Sequence, residues 1–342
     1  MKNLGQLLIV GFEGTSPQDS SVKILLKQIR EAEVGGVILF GHNIISPRQV
    51  RDLTLALAQA APADLPLLIA IDQEGGSVQR LQAKKGFRDY LTPHEIGQRL
   101  RPEEAQTYYL ELALELRKFG FNLNFAPCVD LDLACPVISG LGRSFGDDTA
   151  KVVAFADALV NAHHEAGVLT CLKHFPGHGS AQKDSHLGMV DITDVWTERE
   201  CEPFRILIDK GSADMVMTAH LMHQSFDDAP LSLSSALIRP ILRETFHFDG
   251  VVIVDDLHMG AIQEQYRDPT TVIDKALRAG NDMVLFSKNP QAAPRIAKFA
   301  ANPDLPSFFR ASVLELLEKG SLSEADLEAS LQRVRKLKQR IF

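Results

Sequence analysis

The chain has 342 residues, of which 45% are hydrophobic and 23% charged, a composition typical of a globular protein. Its formal net charge of −8 argues against a nucleic-acid-binding protein, which would carry a basic face. No apolar run is long enough to span a bilayer, and the N-terminal run lacks the length and the cleavage site of a secretory signal. We therefore expect a cytoplasmic protein that binds neither nucleic acid nor membrane.

Eight short apolar runs recur along the chain, and near-continuous runs of this kind are typical of parallel strands buried on both faces. They span residues 7–12, 36–40, 67–71, 121–125, 168–173, 214–218, 251–254 and 283–286. Between them, amphipathic patterns predict helices at 21–33, 47–61, 102–119 and 149–166, and a further helix that ends near residue 245. This alternation predicts an α/β fold, a TIM-type (β/α)₈ barrel. A doubly wound open sheet is less favoured, because no Gly-x-Gly-x-x-Gly follows the first strand.

Local signals mark several element boundaries. Ser46 before Pro47 predicts a helix N-cap, and Glu200 three residues after Thr197 predicts a capping box. The charged segment 324–340 predicts a C-terminal helix packed on the outside of the barrel. Because no linker or repeat interrupts the chain, we expect one catalytic TIM-barrel domain over residues 1–342.

The four cysteines match no zinc-binding spacing, and we interpret them as buried, reduced thiols. The sequence thus predicts neither a structural metal nor a cofactor.

Titratable residues concentrate directly after the predicted strands. Because the carboxyl ends of barrel strands share one face, and barrel active sites are built there, we expect a site on that face. The residues concerned are Asp72, Glu74 and Arg80 after the third strand, Asp130 and Arg143 after the fourth, Lys173, His174, Asp184 and His186 after the fifth, His220 after the sixth, and Asp255 and Asp256 after the seventh.

The densest group follows the fifth strand, around the turn at Pro176 and Gly177. Asp184 stands two residues before His186, a spacing that lets the carboxylate orient or polarise the imidazole. We interpret His178 as a residue that pins the loop backbone. The alternative is a metal site, with His174, His178, Asp184 and His186 as ligands; acid–base chemistry is favoured over it.

Each of the other candidates has a structural alternative. Asp72 is as consistent with capping a turn as with binding a ligand. Arg80 and Arg143 could form weak surface ion pairs or grip a ligand in bidentate fashion. Asp255 is the best candidate for a catalytic carboxylate, and Asp256 is the candidate N-cap of the next helix.

Three motifs together resemble glycoside hydrolase family 3, in its single-domain β-N-acetylglucosaminidase branch. They are Ile71-Asp72-Gln73-Glu74-Gly75-Gly76 with Arg80, Lys173-His174-Phe175-Pro176-Gly177-His178-Gly179 followed by Asp184-Ser185-His186, and Val254-Asp255-Asp256-Leu257 with Met259 and Gly260. The similarity extends from the first strand to residue 283. One departure is Ser180-Ala181-Gln182-Lys183, where many relatives carry Asp or Asn followed by Thr.

The resemblance implies a role for each motif. Asp255 would be the nucleophile of a retaining exo-glycosidase, and His186, paired with Asp184, would be its acid and base. Sugar binding is implied for a second set, made up of Asp72, Arg80, Arg143, Lys173, His174, His220 and Asn124. The substrate implied is a small carbohydrate with terminal β-linked N-acetylglucosamine, such as a peptidoglycan-derived muropeptide met in cell-wall recycling.

Three alternatives to that hydrolase stay open. Two are enzymes, a β-N-acetylglucosaminide phosphorylase and a β-glucosidase. The third is a catalytically silent sugar-binding barrel, against which the intact Asp255 and Asp184–His186 set argues.

Overall fold

The computed structural model describes residues 3–288 and 304–341. Eight parallel strands pair in the order β7-β6-β5-β4-β3-β2-β1-β8. A parallel bridge from Ile253 to Met283 joins the two end strands, so the sheet closes into the predicted barrel. The strands are β1 Leu8–Gly11, β2 Gly36–Leu39, β3 Leu68–Ile71, β4 Leu123–Asn124, β5 Leu169–Phe175, β6 Met215–Thr218, β7 Val251–Val254 and β8 Val284–Phe286.

The strands form where the apolar runs predicted them, and two of them differ in extent in a way that affects the site. The run at 121–125 yields only the two-residue strand β4, while β5 continues past the predicted end to Phe175 and so includes His174. In the register of the sheet, Val37 lies between Val10 and Ile69, and all three are buried. Burial on both faces explains why these runs are continuous rather than alternating.

Helices surround the barrel, and the predicted helices form together with others that were not predicted. Among the described residues they are α1 Ser20–Arg30, α2 Pro47–Ala60, α3 Pro93–Arg99, α4 Pro102–Lys118, α5 Thr149–Glu165, α6 Glu202–Asp209, α7 Gly260–Gln263, α8 Pro269–Ala279, α9 Leu305–Glu318 and α10 Glu324–Lys338. The predicted helix ending near residue 245 is the π-helical segment Ile238–Thr245. No helix in the described part of the chain is both long and apolar enough to cross a bilayer.

Of the two predicted caps, one is confirmed and one is wrong. Ser46 Oγ accepts a hydrogen bond from the Gln49 amide at 3.3 Å. Thr197 makes no side-chain cap, and the Glu200 carboxylate instead accepts from the amide of Ser180 at 3.1 Å and from its hydroxyl at 2.5 Å. The Glu200 carboxylate is therefore hydrogen-bonded to the loop after β5 and does not form the capping box.

The C-terminal helix α10 lies across the amino end of the barrel. The Lys338 ammonium donates to Gln6 Oε1 and to the Gly35 carbonyl, both at 2.6 Å, just before β1 and β2. Arg333 pairs with Asp282, just before β8, at 2.8 Å. The prediction of external packing is refined, since the helix covers the end of the barrel opposite to the carboxyl ends of the strands.

Candidate active site

A cleft of about 310 Å³ opens at the carboxyl end of the barrel. It brings together residues from the ends of β3, β5 and β7 and from the loops that follow β4 and β5. Eight of the ten predicted site residues line it, namely Asp72, Arg80, Arg143, Lys173, His174, Asp184, His186 and Asp255.

Asp255 follows β7 directly and is held by backbone contacts. Its amide donates to the Thr218 carbonyl at 3.1 Å, and its Oδ1 accepts from the Asp256 amide at 2.7 Å. Burial alone would raise the pKa of Asp255, but the hydrogen bond from Asp256 and three nearby histidines, His220, His174 and His186, bring the pKa below its ordinary value. Asp255 is therefore an ionised carboxylate at neutral pH, as a nucleophile must be.

Asp256 is not the predicted helix N-cap. Its Oδ1 accepts from the Ser287 amide at 2.8 Å and from the His258 amide at 3.1 Å. Helix α7 begins only at Gly260, and its N-cap residue, Met259, makes no side-chain cap. Asp256 thus ties the segment after β7 to the end of β8, which fixes the backbone that carries Asp255.

Asp184 and His186 form the predicted pair. Asp184 Oδ1 accepts from His186 Nδ1 at 2.7 Å and from the His186 amide at 2.9 Å. Burial would lower the pKa of His186, but the Asp184 hydrogen bond and the charge of Asp255 raise it above its ordinary value. With Nδ1 engaged by Asp184, Nε2 is the nitrogen that can exchange a proton with a ligand.

His178 pins the loop as predicted. Its amide donates to Asp130 Oδ1 at 2.7 Å, and its Nε2 lies 3.2 Å from Ser185 Oγ, inside the segment that carries the Asp184–His186 pair. Burial lowers the pKa of His178 to about 4, so the ring is neutral at physiological pH.

A buried network of charges forms the floor of the cleft. Lys173 Nζ lies 3.1 Å from Asp72 Oδ1 and 2.6 Å from Glu74 Oε1, while Arg80 reaches Asp72 Oδ2 at 3.1 Å. Arg143 grips Glu74 through two hydrogen bonds of 2.9 and 2.8 Å. Neither arginine is the weak surface cation of the alternative interpretation, and Asp72 is an ion-pair acceptor rather than a turn cap.

Glu74 and Asp130 were not assigned a function from the sequence. Burial would raise the pKa of Glu74, but Arg143 and Lys173 lower it to about 2. Asp130 accepts from His174 Nδ1 at 2.7 Å, and His174 Nε2 lies 3.2 Å from the Arg143 guanidinium. Lysine and histidine on a buried strand need acidic partners, because an unpaired buried charge is costly. That requirement could have pointed to Glu74 and Asp130 as their partners from the sequence alone.

The two remaining predicted sugar-binding residues do not line the cleft. Asn124 is fully buried, and its amide group donates to the Gln73 carbonyl and accepts from the Gln73 amide, both at 3.0 Å. His220 is also fully buried, with Nδ1 2.6 Å from Ser232 Oγ and Nε2 3.1 Å from the Asp256 carbonyl. Both side chains hold the backbone at strand ends, which corrects the prediction of sugar contact.

The residues of the alternative metal site do not gather around one point. Within residues 3–288 and 304–341, the donor atoms close enough to share an ion belong to Cys128, Asp130 and His174, which lie within 4.8 Å of one another. His174 is the only residue that this group shares with the predicted set. Asp184 and His186 pair with each other instead, as acid–base chemistry requires.

Comparisons with known proteins identify the family of the chain. Residues 2–337 match the model of the glycosyl hydrolase family 3 N-terminal domain. The chain is 37% identical over 284 residues to a β-hexosaminidase of Tolumonas auensis, covering 80% of this chain and 82% of that protein. It is 36% identical over 309 residues to a β-hexosaminidase of Hydrogenovibrio crunogenus, covering 86% and 84%.

Two solved structures are similar to the chain over nearly its whole length. A family 3 β-N-acetylglucosaminidase from Paenibacillus superposes with a TM-score of 0.86 at 34% identity over 99% of this chain, which spans 62% of that protein. A β-N-acetylhexosaminidase from Beutenbergia cavernae superposes with a TM-score of 0.85 at 29% identity, over 98% of this chain and 97% of the other.

Proposed function

The chain belongs to glycosyl hydrolase family 3 and is a β-hexosaminidase of that family, and from this premise we propose that it removes terminal β-linked N-acetylglucosamine with retention of configuration. The observation that carries the proposal is that a half-buried, ionised carboxylate and a carboxylate-paired histidine line one cleft. Asp255 and the Asp184–His186 pair are these groups, and the charge of Asp255 acts directly on His186.

The first step forms a covalent glycosyl-enzyme. Asp255 attacks the anomeric carbon while protonated His186 donates its Nε2 proton to the glycosidic oxygen, so the bond to the leaving group breaks as the ester bond to Asp255 forms. The raised pKa of His186 supports this role, because it keeps the acid form populated near neutral pH.

The second step releases the sugar. His186, now neutral, takes a proton from water, whose oxygen attacks the anomeric carbon and displaces the Asp255 carboxylate. Asp184 stabilises the imidazolium in both directions, as the lowered pKa of this aspartate indicates. A histidine thus acts as the general acid and base, a role for which retaining glycosidases ordinarily use a second carboxylate.

The charge network supplies the sugar-binding groups. Asp72 offers carboxylate oxygens to hydroxyl groups at the non-reducing end of the sugar, and Lys173 and Arg80 offer donors. Because the network is held by ion pairs before any ligand arrives, these groups need little reorganisation on binding.

The mouth of the cleft supports an aglycone with apolar surface. Leu187, next to the proposed acid, is 72% exposed, and Leu141, which also lines the cleft, is 42% exposed. The lactyl ether of a muramyl residue presents a methyl group beside its sugar ring. We therefore propose peptidoglycan-derived muropeptides as the substrate and cell-wall recycling as the role.

Phosphorolysis is the second candidate, because a neutral histidine base repels an incoming phosphate less than a carboxylate would. Nitrophenyl N-acetylglucosaminide and nitrophenyl glucoside, each assayed with and without phosphate, separate the possibilities. We expect release of free N-acetylglucosamine in both buffers and little turnover of the glucoside. Formation of sugar 1-phosphate would establish a phosphorylase, and preference for the glucoside would establish a β-glucosidase. Binding of N-acetylglucosamine without turnover, unchanged in Asp255→Asn, would establish a silent barrel.

A further inference from the structure

The loop that carries His186 is docked on the backbone that follows Asp255. The Gly260 amide donates to the His186 carbonyl at 3.1 Å, and the Ala261 amide donates to the Ser185 carbonyl at 3.2 Å. Gly260 lies five positions after Asp255 in the chain. Two hydrogen bonds therefore connect the segment bearing the proposed acid and base to the segment bearing the proposed nucleophile.

The docking leaves no room for a side chain at residue 260. A Cβ added to Gly260 would lie 2.7 Å from the His186 carbonyl oxygen, 2.9 Å from the Leu187 carbonyl carbon and 3.1 Å from the Gly188 nitrogen. All three atoms belong to the backbone, so they cannot turn away as a flexible side chain would. The φ angle of Gly260 is not in the left-handed region, so glycine is needed here for close approach rather than for conformation.

The same segment is also held from the barrel side. His178 Nε2 lies 3.2 Å from Ser185 Oγ, and the His178 amide is fixed by Asp130. Gln182 and Lys183, which lie between these attachment points and the Pro-Gly turn, are exposed. The loop thus consists of an exposed stretch followed by two residues, Ser185 and His186, that are anchored.

We propose that Gly260 is a positioning residue, and that its close contact with residues 186–188 is a latch that sets His186 relative to Asp255. The inference rests on the proposed function for the roles of those two residues. The latch explains why a loop with exposed residues can present an acid at a defined place. It acts through the backbone, so no side chain at residue 260 takes part in the chemistry.

Gly260→Ala tests the latch, and Gly140→Ala is the matched control. Gly140 is exposed and lies outside the latch, and a Cβ added there would meet nothing within 4 Å. For a glycoside with a poor leaving group we expect Gly260→Ala to lower kcat/KM by roughly 10²-fold, within the range of general acid catalysis. The first-turnover burst with a dinitrophenyl glycoside needs no acid and should change only a few-fold.

Azide separates loss of the base from damage to the nucleophile. Azide attacks the glycosyl-enzyme without a general base, so it should restore steady-state turnover of the dinitrophenyl glycoside by Gly260→Ala. Gly140→Ala should resemble the unchanged enzyme in every assay. Equal losses for good and poor leaving groups, with no rescue by azide, would place the damage at Asp255 and overturn the latch.

Limited proteolysis gives a readout that does not depend on activity. Trypsin should cut after the exposed Lys183 several-fold faster in Gly260→Ala than in the unchanged chain or in Gly140→Ala. Equal cleavage rates in all three would overturn the proposal. If Gly260→Ala does not fold, Ser185→Ala removes the attachment to His178 and should accelerate the same cleavage to a smaller extent, and no acceleration would count against an anchored loop.

Failure of the proposed function would look different from failure of the latch. The unchanged enzyme would then fail to release N-acetylglucosamine, whereas cleavage at Lys183 would still depend on residue 260.

Discussion

The two ends of the barrel carry similar buried charge clusters with different surroundings. At the carboxyl end Glu74 is shared by Lys173 and Arg143, and both cations line the cleft. At the amino end Asp282 is shared by Arg243 at 2.6 Å and Arg333 at 2.8 Å. Only the first cluster borders the groups proposed for catalysis. The position of a buried ion pair, rather than its presence, therefore points to function.

The partners of the amino-end cluster show its structural purpose. Asp282 Oδ2 also accepts from the Val252 amide at 2.8 Å, and Oδ1 accepts from Ser330 Oγ at 2.8 Å. These bonds join β7, the π-helical segment and α10. A cavity of about 510 Å³ lies beside the cluster and is larger than the cleft of about 310 Å³ that Asp255 lines. The arginines that line this cavity are paired with acids. A search for the active site by cavity volume alone would therefore have chosen the amino end of the barrel.

The largest expected difference between the two ends is in catalysis. Asp255→Asn should lower kcat by at least about 10³-fold, because a nucleophile acts only in the transition state and the step depends on its charge. Its free energy of unfolding should change by no more than about 1 kcal/mol. Steady-state kinetics and urea unfolding of the same preparation measure both quantities. Retained activity in a correctly folded variant would contradict the assignment.

Removing one acid from each cluster separates stability from function. Glu74→Gln should lower the free energy of unfolding by roughly 3–5 kcal/mol, because the buried cations Lys173 and Arg143 lose their partner. Asp282→Asn should lower it by less, because Arg243 and Arg333 are only half-buried. Only Glu74→Gln should also raise KM, since Lys173 and Arg143 then lose their fixed positions in the cleft. Urea unfolding and KM measured on the folded fraction test this contrast. An equal effect of both variants on KM would remove the distinction between the two ends.

At the amino end the buried Lys338 makes stability depend on pH. Burial lowers the pKa of this ammonium to about 7 from 10.5, so between those values the unfolded chain binds more protons than the folded chain. Stability must then rise with pH, relative to Lys338→Met, by up to about 1.4 kcal/mol per pH unit between pH 7 and 10. Urea unfolding at pH 6, 8 and 9.5 measures the difference. Parallel curves for the two proteins would show that Lys338 stays charged.

The smallest effect is expected at the carboxyl end, from Asp184→Asn. The loss of this carboxylate should lower the pKa of His186, and the alkaline limb of the kcat/KM profile should move to lower pH, because the acid must be protonated. The acidic limb, set by Asp255, should stay in place. At neutral pH kcat/KM for a poor leaving group should fall about tenfold. A profile between pH 5 and 9 with both limbs unmoved would show that Asp184 does not tune the histidine.

The sequence allowed much of the fold and part of the site to be predicted, for a physical reason. Apolar runs locate strands because each barrel strand is buried on both faces, so all eight were found. The Asp184–His186 pair was found because its partners are two residues apart. Asn124 and His220 do not line the cleft, because a place at the carboxyl end of a strand does not tell whether a side chain points into the cleft or into the core.

Long-range partners account for the other errors. Glu200 turns away from Thr197 because Ser180, distant in sequence, offers two donors. Asp256 bonds to Ser287 at the end of β8 rather than capping α7. The contact between Gly260 and residues 186–188 also depends on two segments that meet only in the folded barrel. Local spacing contains no signal for such contacts.

The nucleophile is the central claim, and covalent trapping tests it most directly. An N-acetylglucosaminyl fluoride with a second fluorine at C5 should form a glycosyl-enzyme that hydrolyses slowly enough to digest and map by mass spectrometry. We expect one added sugar per chain, on the peptide that contains Asp255, and none on the Asp255→Asn variant. A sugar attached to any other residue, or turnover of the reagent with no labelled peptide, would contradict the assignment.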